Sequence, residues 1–159
     1  MPLTNFPNGI TVENQTIRVS NTTTFSADMS STTLNTIASH EIATVTGLVR
    51  MRIIADVTDG PSGGTSTIAL GTADNTSEFI GATTVSGLDT GEIWTTATGV
   101  GNKSSVDFAS IPDFVISDAD VGYTIAKSAG ITGTIVFRMW WEALEGATST
   151  VTVGAGGTL

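Results

Sequence analysis

The chain has 159 residues, no cysteine and a formal net charge of -9, from six basic and fifteen acidic side chains. The absence of cysteine excludes disulfides, thiolate metal ligands and a cysteine nucleophile. The negative charge disfavours nucleic acid and anionic membranes, because clustered Lys and Arg bind both. The longest apolar runs, residues 48–57 and 135–141, are far shorter than the ~20 residues of a membrane helix. We therefore expect one domain with neither nucleic acid nor membrane as a partner.

The first 30 residues contain turn formers, Thr and Asn, and few side chains that can build a core. Such a segment ahead of a β-patterned body predicts an extended arm that becomes ordered against a partner. Its opening, Met-Pro-Leu-Thr, has no basic stretch followed by an apolar one, which predicts synthesis in the cytoplasm without a secretion signal. We expect an arm over residues 1–30, a body over residues 31–145, and a Gly- and Thr-rich tail over residues 146–159. The tail is predicted to be flexible or a second extended contact arm.

The body is predicted to be all β. Threonine occurs 29 times and Val and Ile are abundant, whereas the helix formers Glu, Lys, Gln and Arg are scarce. One segment also fits a short helix, because its apolar residues have helical spacing: Leu34, Ile37, Ala38 and Ile42. The Thr and Asn residues between them favour a strand or an extended connection instead.

Two segments alternate clearly between the two faces of a strand. In residues 48–57 the core face holds Val49, Met51, Ile53, Ala55 and Val57, and the other face holds Arg50, Arg52 and Asp56. In residues 134–142 one face holds Ile135, Phe137, Met139 and Trp141, and the other holds Thr134, Val136, Arg138, Trp140 and Glu142. Six weaker strand candidates lie between them, at residues 65–71, 78–82, 93–98, 105–109, 114–117 and 121–127. Short strands at this spacing predict a single β-sandwich or jelly-roll domain.

Residues 60–64, Gly-Pro-Ser-Gly-Gly, match the pattern of a serine nucleophile elbow. The elbow requires a following helix, but the next residues are strand-like, and the only histidine, His40, precedes Ser62 rather than following it. We interpret the segment as a hairpin loop and His40, beside Glu41, as a structural side chain. No catalytic residue is predicted, so the chain is not expected to be an enzyme.

Two loops place carboxylates two or three residues apart before a glycine, at Asp56 and Asp59 and at Asp118 and Asp120. Oxygen ligands at such spacing can hold calcium, but neither loop has the spacing of a complete calcium-binding loop. Asp and Gly are also the ordinary residues of turns, and turn formation is the preferred interpretation. We predict no metal and no cofactor.

Three tryptophans, Trp94, Trp140 and Trp141, are candidates for an interface. Trp140 and Trp141 are adjacent on one strand, so they point to opposite faces and only one can lie in the core of a simple sandwich. The other fits a subunit interface, where Trp is enriched, covered packing within the chain, or a platform for a ligand.

The opening of the chain resembles that of the head decoration proteins, or cement proteins, of tailed bacteriophages. The resemblance rests on Leu3, Thr4, Asn5, Phe6, Pro7, Asn8, Gly9 and Ile10. Residues 68–74, Ile-Ala-Leu-Gly-Thr-Ala-Asp, and residues 133–142, Gly-Thr-Ile-Val-Phe-Arg-Met-Trp-Trp-Glu, are similar to strand segments of the same family. The Thr-rich stretch over residues 21–36 has no counterpart in that pattern.

The resemblance implies a structural virion protein on the outer surface of an icosahedral head. It implies a homotrimer whose extended termini lie over the major capsid protein, with a contact arm formed by Leu3, Asn5, Phe6, Pro7, Asn8, Gly9 and Ile10. An acidic chain suits the outside of a shell filled with DNA. The alternative is a carbohydrate- or receptor-binding β-sandwich module of a virion fibre.

Overall fold

The described part of the chain consists almost entirely of β-strands in two antiparallel sheets. The computed structural model describes residues 21–29, 39–95, 110–126, 130–145, 148–154 and 159. Its strands are β1 (Asn21–Asp28), β2 (Ser39–Thr46), β3 (Leu48–Ser62), β4 (Thr67–Thr72), β5 (Ile80–Thr84), β6 (Ile93–Trp94), β7 (Phe114–Ser117), β8 (Asp120–Ala126), β9 (Thr132–Ala143) and β10 (Thr150–Val153). One 3-10 turn, Val85–Gly87, follows β5. The all-β sandwich predicted from the sequence is confirmed.

Sheet I has the order β1-β9-β3, with β6 and β7 both on the far edge of β3, and sheet II has the order β10-β2-β8-β4-β5. β7 pairs with the first part of β3 and β6 with a later part, so together they occupy one strand position. The antiparallel pairs are then nested: β1 with β9, β2 with β8, β3 with β6 and β7, and β4 with β5. Such nesting is the pairing pattern of a jelly roll, and β10 extends it beside β2.

The core lies between the two sheets, and it is built by the alternation that the sequence shows in β3 and β9. All five side chains on the predicted core face of β3 are buried: Val49, Met51, Ile53, Ala55 and Val57. β9 contributes Ile135, Phe137 and Met139, which are also fully buried. Sheet II supplies the opposite side of the core, including Ile42, Ile68, Leu70 and Tyr123. The predicted faces of both strands are therefore confirmed.

The first 30 residues are not all an arm. Residues 21–28 form β1, which pairs with β9 over its whole length, from Asn21 opposite Trp141 to Asp28 opposite Thr134. Ala27 and Met29 are buried in the core. The sequence suggested an arm because β1 carries Thr and Ser on its outward face, yet two buried side chains and one ladder of hydrogen bonds are enough to hold it. Residues 1–20 and 30 lie outside the described residues.

Part of the predicted tail also belongs to a sheet. Residues 150–153 form β10 and pair with Thr46 to Ala43 of β2. The Gly154 N–H donates to the Ile42 carbonyl at 2.9 Å, which continues the contact. β10 carries no charge and little apolar bulk, so its sequence gave no strand signal, and only pairing with β2 reveals it.

The other predicted segments agree with the structure wherever they are described. The candidates at residues 65–71, 78–82, 114–117 and 121–127 correspond to β4, β5, β7 and β8, and the candidate at 93–98 starts with β6. Residues 96–98 of that candidate lie outside the described residues. The candidate at 105–109 lies outside the described residues. Ile42, the last residue of the possible helix, is in β2, and residues 34–38 lie outside the described part.

Candidate functional site

The outer face of sheet I gathers residue types that favour protein contacts. We call it the arginine–tryptophan face, formed by Arg50, Arg52 and Ile54 of β3 and Val136, Arg138 and Trp140 of β9. The register of the two strands places Arg52 opposite Trp140 and Ile54 opposite Arg138. Directly opposed side chains in an antiparallel pair have Cβ atoms about 4.5–5.5 Å apart. The pairing of β3 with β9 therefore makes one continuous surface from residues that the sequence separates widely.

Ion pairs hold the arginines in place on this face. The Arg52 Nε donates to Asp113 Oδ1 at 2.7 Å, and the Arg138 Nη2 donates to Asp56 Oδ2 at 3.1 Å. Arg50 Nε lies 3.2 Å from Glu142 Oε1 and 3.5 Å from Asp113 Oδ2. The side chains of Arg50 and Arg138 are each 47% exposed, so these pairs add little to stability. Their main effect is to fix the orientation of the guanidinium groups on this face.

A shallow cleft of about 220 Å³ opens beside Trp140. Its lining consists of Arg50, Met51, Arg52, Asp113, Trp140, Trp141 and Glu142. Small-molecule sites usually occupy ~300–1,000 Å³ and are mostly apolar, so this cleft is small and unusually charged for such a site.

The three tryptophans have different environments. Trp94 of β6 is fully buried, and its indole N–H donates to Thr83 Oγ1 at 3.0 Å. Trp94 is therefore a core residue, and its prediction as an interface residue is wrong. Trp141 packs against the core on the inner face and donates to Thr23 Oγ1 at 3.1 Å. Trp140 is half-buried on the outer face, so part of its side chain reaches the surface.

The predicted contact arm lies outside the described residues, so Leu3, Asn5, Phe6, Pro7, Asn8, Gly9 and Ile10 stay a prediction. β1 begins at Asn21, opposite Trp141. Asn21, the first described residue, therefore lies at the end of β9 that carries Trp140 and Glu142.

The sequence motifs that suggested chemistry have structural roles. Ser62 lies at the end of β3, and its hydroxyl is 2.7 Å from Thr132 Oγ1. Residues 60–62 are the end of β3 in sheet I, and residues 63–66 lead to β4 in sheet II, so the segment is not the hairpin loop that was predicted. His40 is buried in β2, where its ring stacks on Tyr123 at a centroid distance of 4.7 Å.

The Asp-rich loops use their carboxylates locally. Asp118 lies between β7 and β8 with a φ of 46°, and its carboxylate accepts a hydrogen bond from the Gly47 N–H at 2.7 Å, so it joins this connection to the turn between β2 and β3. Asp56 points outward from β3 to Arg138. Across the described ranges, no three His, Asp or Glu side chains come together as a possible metal site. No helix in the same ranges has the length and apolar character to cross a membrane.

The sequence pattern identified which side chains face outward but did not show that they form one surface. Alternation places Arg50 and Arg52 on the outer face of β3, and Arg138 and Trp140 on the outer face of β9. Only the register between the strands brings these sets together. Asp113, which bonds to Arg52, comes from a third segment whose position no local signal indicates.

Comparison of the chain with protein-family models, with curated proteins and with solved structures gave no match. The strands define a β-sandwich domain, and fold alone does not define a function.

Proposed function

We propose that this protein is a structural virion protein that binds the outer surface of an icosahedral phage head and stabilises it by bridging major capsid proteins. The observation that carries the proposal is the arginine–tryptophan face, because Trp and Arg are the residues most enriched among those that dominate binding energy at protein interfaces. Arg50, Arg52 and Arg138 are the only basic residues in the described part of the chain, and all three lie on that face.

The mechanism is mechanical rather than catalytic. Each subunit contacts neighbouring capsid proteins through the arginine–tryptophan face, and residues 3–10 extend the contact as an arm. A trimer would present three such faces to the shell at once. Linked contacts of this kind raise the overall affinity ~10²–10⁴-fold above that of a single contact, because the second contact forms within an already tethered complex. Many weak contacts that act together can thus resist the pressure of packaged DNA.

The test is co-sedimentation with expanded heads that lack this protein, taken from the virus whose genome carries the sequence. The bound fraction is quantified against the major capsid protein by gel densitometry. We expect saturable binding at a fixed ratio. Trp140→Ala should weaken it roughly 30-fold, the effect of losing an interface residue worth ~2 kcal/mol.

Val153→Ala is the matched control, because Val153 is an exposed apolar side chain, 46% accessible, on β10 of the other sheet. Its binding should equal that of the unmodified chain. If Trp140→Ala binds as tightly as the control, the arginine–tryptophan face is not the contact surface. If no variant binds, the head-binding role itself is wrong.

The second candidate is a carbohydrate- or receptor-binding module of a virion fibre. The cleft beside Trp140 favours it, since an aromatic side chain next to Asp113 and Glu142 offers both stacking and hydrogen bonds to a sugar. Glycan-array binding that disappears in Trp140→Ala would support this candidate. Trp94→Ala does not distinguish the two functions, because Trp94 is a core residue.

A further inference from the structure

Among the described residues, β7 pairs with a strand on one edge only. The Asp118 N–H donates to the Gly47 carbonyl, which fixes the phase of the ladder between β7 and β3. Because hydrogen-bonded and non-hydrogen-bonded pairs alternate in an antiparallel ladder, Val115 and Ser117 direct their N–H and C=O groups away from β3. No described strand lies on that side. A row of unpaired backbone groups of this kind is a template for another strand.

A groove runs along this edge. It has a volume of about 460 Å³ and lies between β7 and the loop from β4 to β5. The loop contributes the exposed carboxylates of Asp74 and Glu78. Val115 adds a large apolar side chain that is 63% exposed. The groove therefore offers backbone pairing, an apolar contact and negative charge together.

Residues 16–20, Thr-Ile-Arg-Val-Ser, have the chemistry that this groove fits. The segment is rich in β-branched residues, which favour strands. In an extended conformation Ile17 and Val19 point to one side and Arg18 to the other. Arg18 is the only basic residue among the first 20. The five residues are also long enough to pair along all four residues of β7.

The same segment cannot reach the groove of its own molecule. Ser20 is bonded to Asn21 of β1, and β1 is separated from β7 by β9 and β3. A strand beside the free edge of β7 would lie four strand spacings from β1, or ~19 Å. Residues 16–20 span at most ~17 Å when fully extended. That length is too short to cross the sheet, and it would leave no residues to pair with β7.

We propose that residues 16–20 of a second copy of this chain add as a strand to the free edge of β7. Arg18 then faces Asp74 and Glu78, and Ile17 and Val19 cover Val115. Because the donor segment and the acceptor edge are different surfaces, the contact is heterologous, and it closes into a ring when the rotation between copies allows. Residues 3–10 remain available beyond the contact. The inference goes beyond head binding and does not depend on it.

The test is cross-linking of the purified full-length chain, which has no cysteine of its own. A variant with Val19→Cys and Ser117→Cys is treated with a short bismaleimide. The matched control carries Val19→Cys and Thr152→Cys, with its acceptor on β10 of sheet II. We expect a ladder of covalently joined protomers from the first variant and none from the control. Three outcomes would overturn the proposal: a cross-linked product that keeps the mass of the monomer, equal ladders from both variants, or no cross-linked product at all.

Charge exchange gives a second readout. In sedimentation velocity, Arg18→Glu and Glu78→Lys should each raise the concentration for half-association roughly tenfold, and the double variant should recover most of the loss. Asp89→Lys, the same charge change in an exposed loop away from the groove, should have no effect. A chain that stays monomeric at every concentration, or a double variant as weak as the sum of both changes, would refute strand addition. Neither experiment contains heads, so a failure here leaves the head-binding proposal intact.

Discussion

At the scale of single residues, the most informative group in the core is the hydroxyl of Tyr123. This residue is the only tyrosine of the chain. Its ring stacks between His40 and Phe137, with centroid distances of 4.7 Å and 5.5 Å. Its buried hydroxyl has no hydrogen-bond partner among the described residues. Burial raises the pKa of Tyr123 above its ordinary value of 10.0, because the phenolate would lose its hydration.

Because of this raised pKa, we predict that the free energy of unfolding falls at alkaline pH and that Tyr123 alone causes this part of the fall. Below pH 10.0 the phenol is neutral in both states, so it leaves the free energy of unfolding unchanged. Above that pH the unfolded chain ionises and the folded chain does not, so stability falls as pH rises. Tyr123→Phe should match or exceed the original chain by up to ~1 kcal/mol at neutral pH, because it removes an unpaired hydroxyl.

The measurement is urea unfolding of both chains between pH 7 and about pH 11, followed with tyrosinate absorbance in the original chain. The absorbance should rise only as the fold is lost. The Phe variant should retain more stability than the original chain at the alkaline end. An equal alkaline loss in both chains would show that Tyr123 is not the responsible group.

At the scale of elements, alternation over many residues decided what the sequence could predict. β3 and β9 were predicted because each has a long run of alternating apolar and polar side chains. β1 and β10 were missed because both are rich in Thr and each is short of large apolar side chains, so their pairing with β9 and β2 reveals them better than their sequence does. Trp94 was misassigned because a two-residue strand has no alternation from which to read its direction.

The same reasoning explains why the site was only partly predicted. Local pattern placed Arg52 and Trp140 on outward faces, but the register that joins them depends on residues far apart along the chain. The unpaired edge of β7 was equally invisible, because strand order is a property of the whole sheet.

Two deletions separate the arm from the sandwich. Removal of residues 2–20 should leave the fold intact, since every described strand remains, and should abolish or sharply weaken head binding. Removal of residues 2–29 also removes β1 with the buried Ala27 and Met29. Loss of Met29 alone resembles a truncation that costs ~2–5 kcal/mol, a large share of the ~5–15 kcal/mol of a typical domain.

Circular dichroism and thermal melting check both deletion variants, and co-sedimentation checks the shorter deletion. The longer deletion should give an unfolded or strongly destabilised chain. A folded product after removal of residues 2–29 would mean that β1 is dispensable. Unchanged head occupancy after removal of residues 2–20 would exclude the arm as a contact.

At the scale of the whole molecule, nested pairing joins every strand to one core. β1 pairs with β9, and β10 pairs with β2, so the first and the last described strands both belong to the sheets. The core cluster draws side chains from both sheets without a break. No group of strands among the described residues forms a separate layer that could unfold alone.

We therefore expect unfolding in one cooperative step. Tryptophan fluorescence reports the core through Trp94 and the faces of β9 through Trp140 and Trp141, whereas far-ultraviolet circular dichroism reports all strands. The two signals should give the same urea midpoint and the same slope. Two resolved transitions would show that the sheets separate before they unfold.

The pairing of β1 with β9 also has a consequence for synthesis on the ribosome. Thr23 and its hydrogen-bond partner Trp141 are 118 positions apart. At ~5–20 residues per second, the first strand therefore waits roughly 6–24 s for its partner to be translated. A strand rich in Val and Ile would be exposed as an aggregation-prone segment throughout that time. The Thr and Ser side chains made β1 difficult to predict from the sequence. The same side chains thus lower the tendency of the nascent chain to aggregate until β9 has been synthesised.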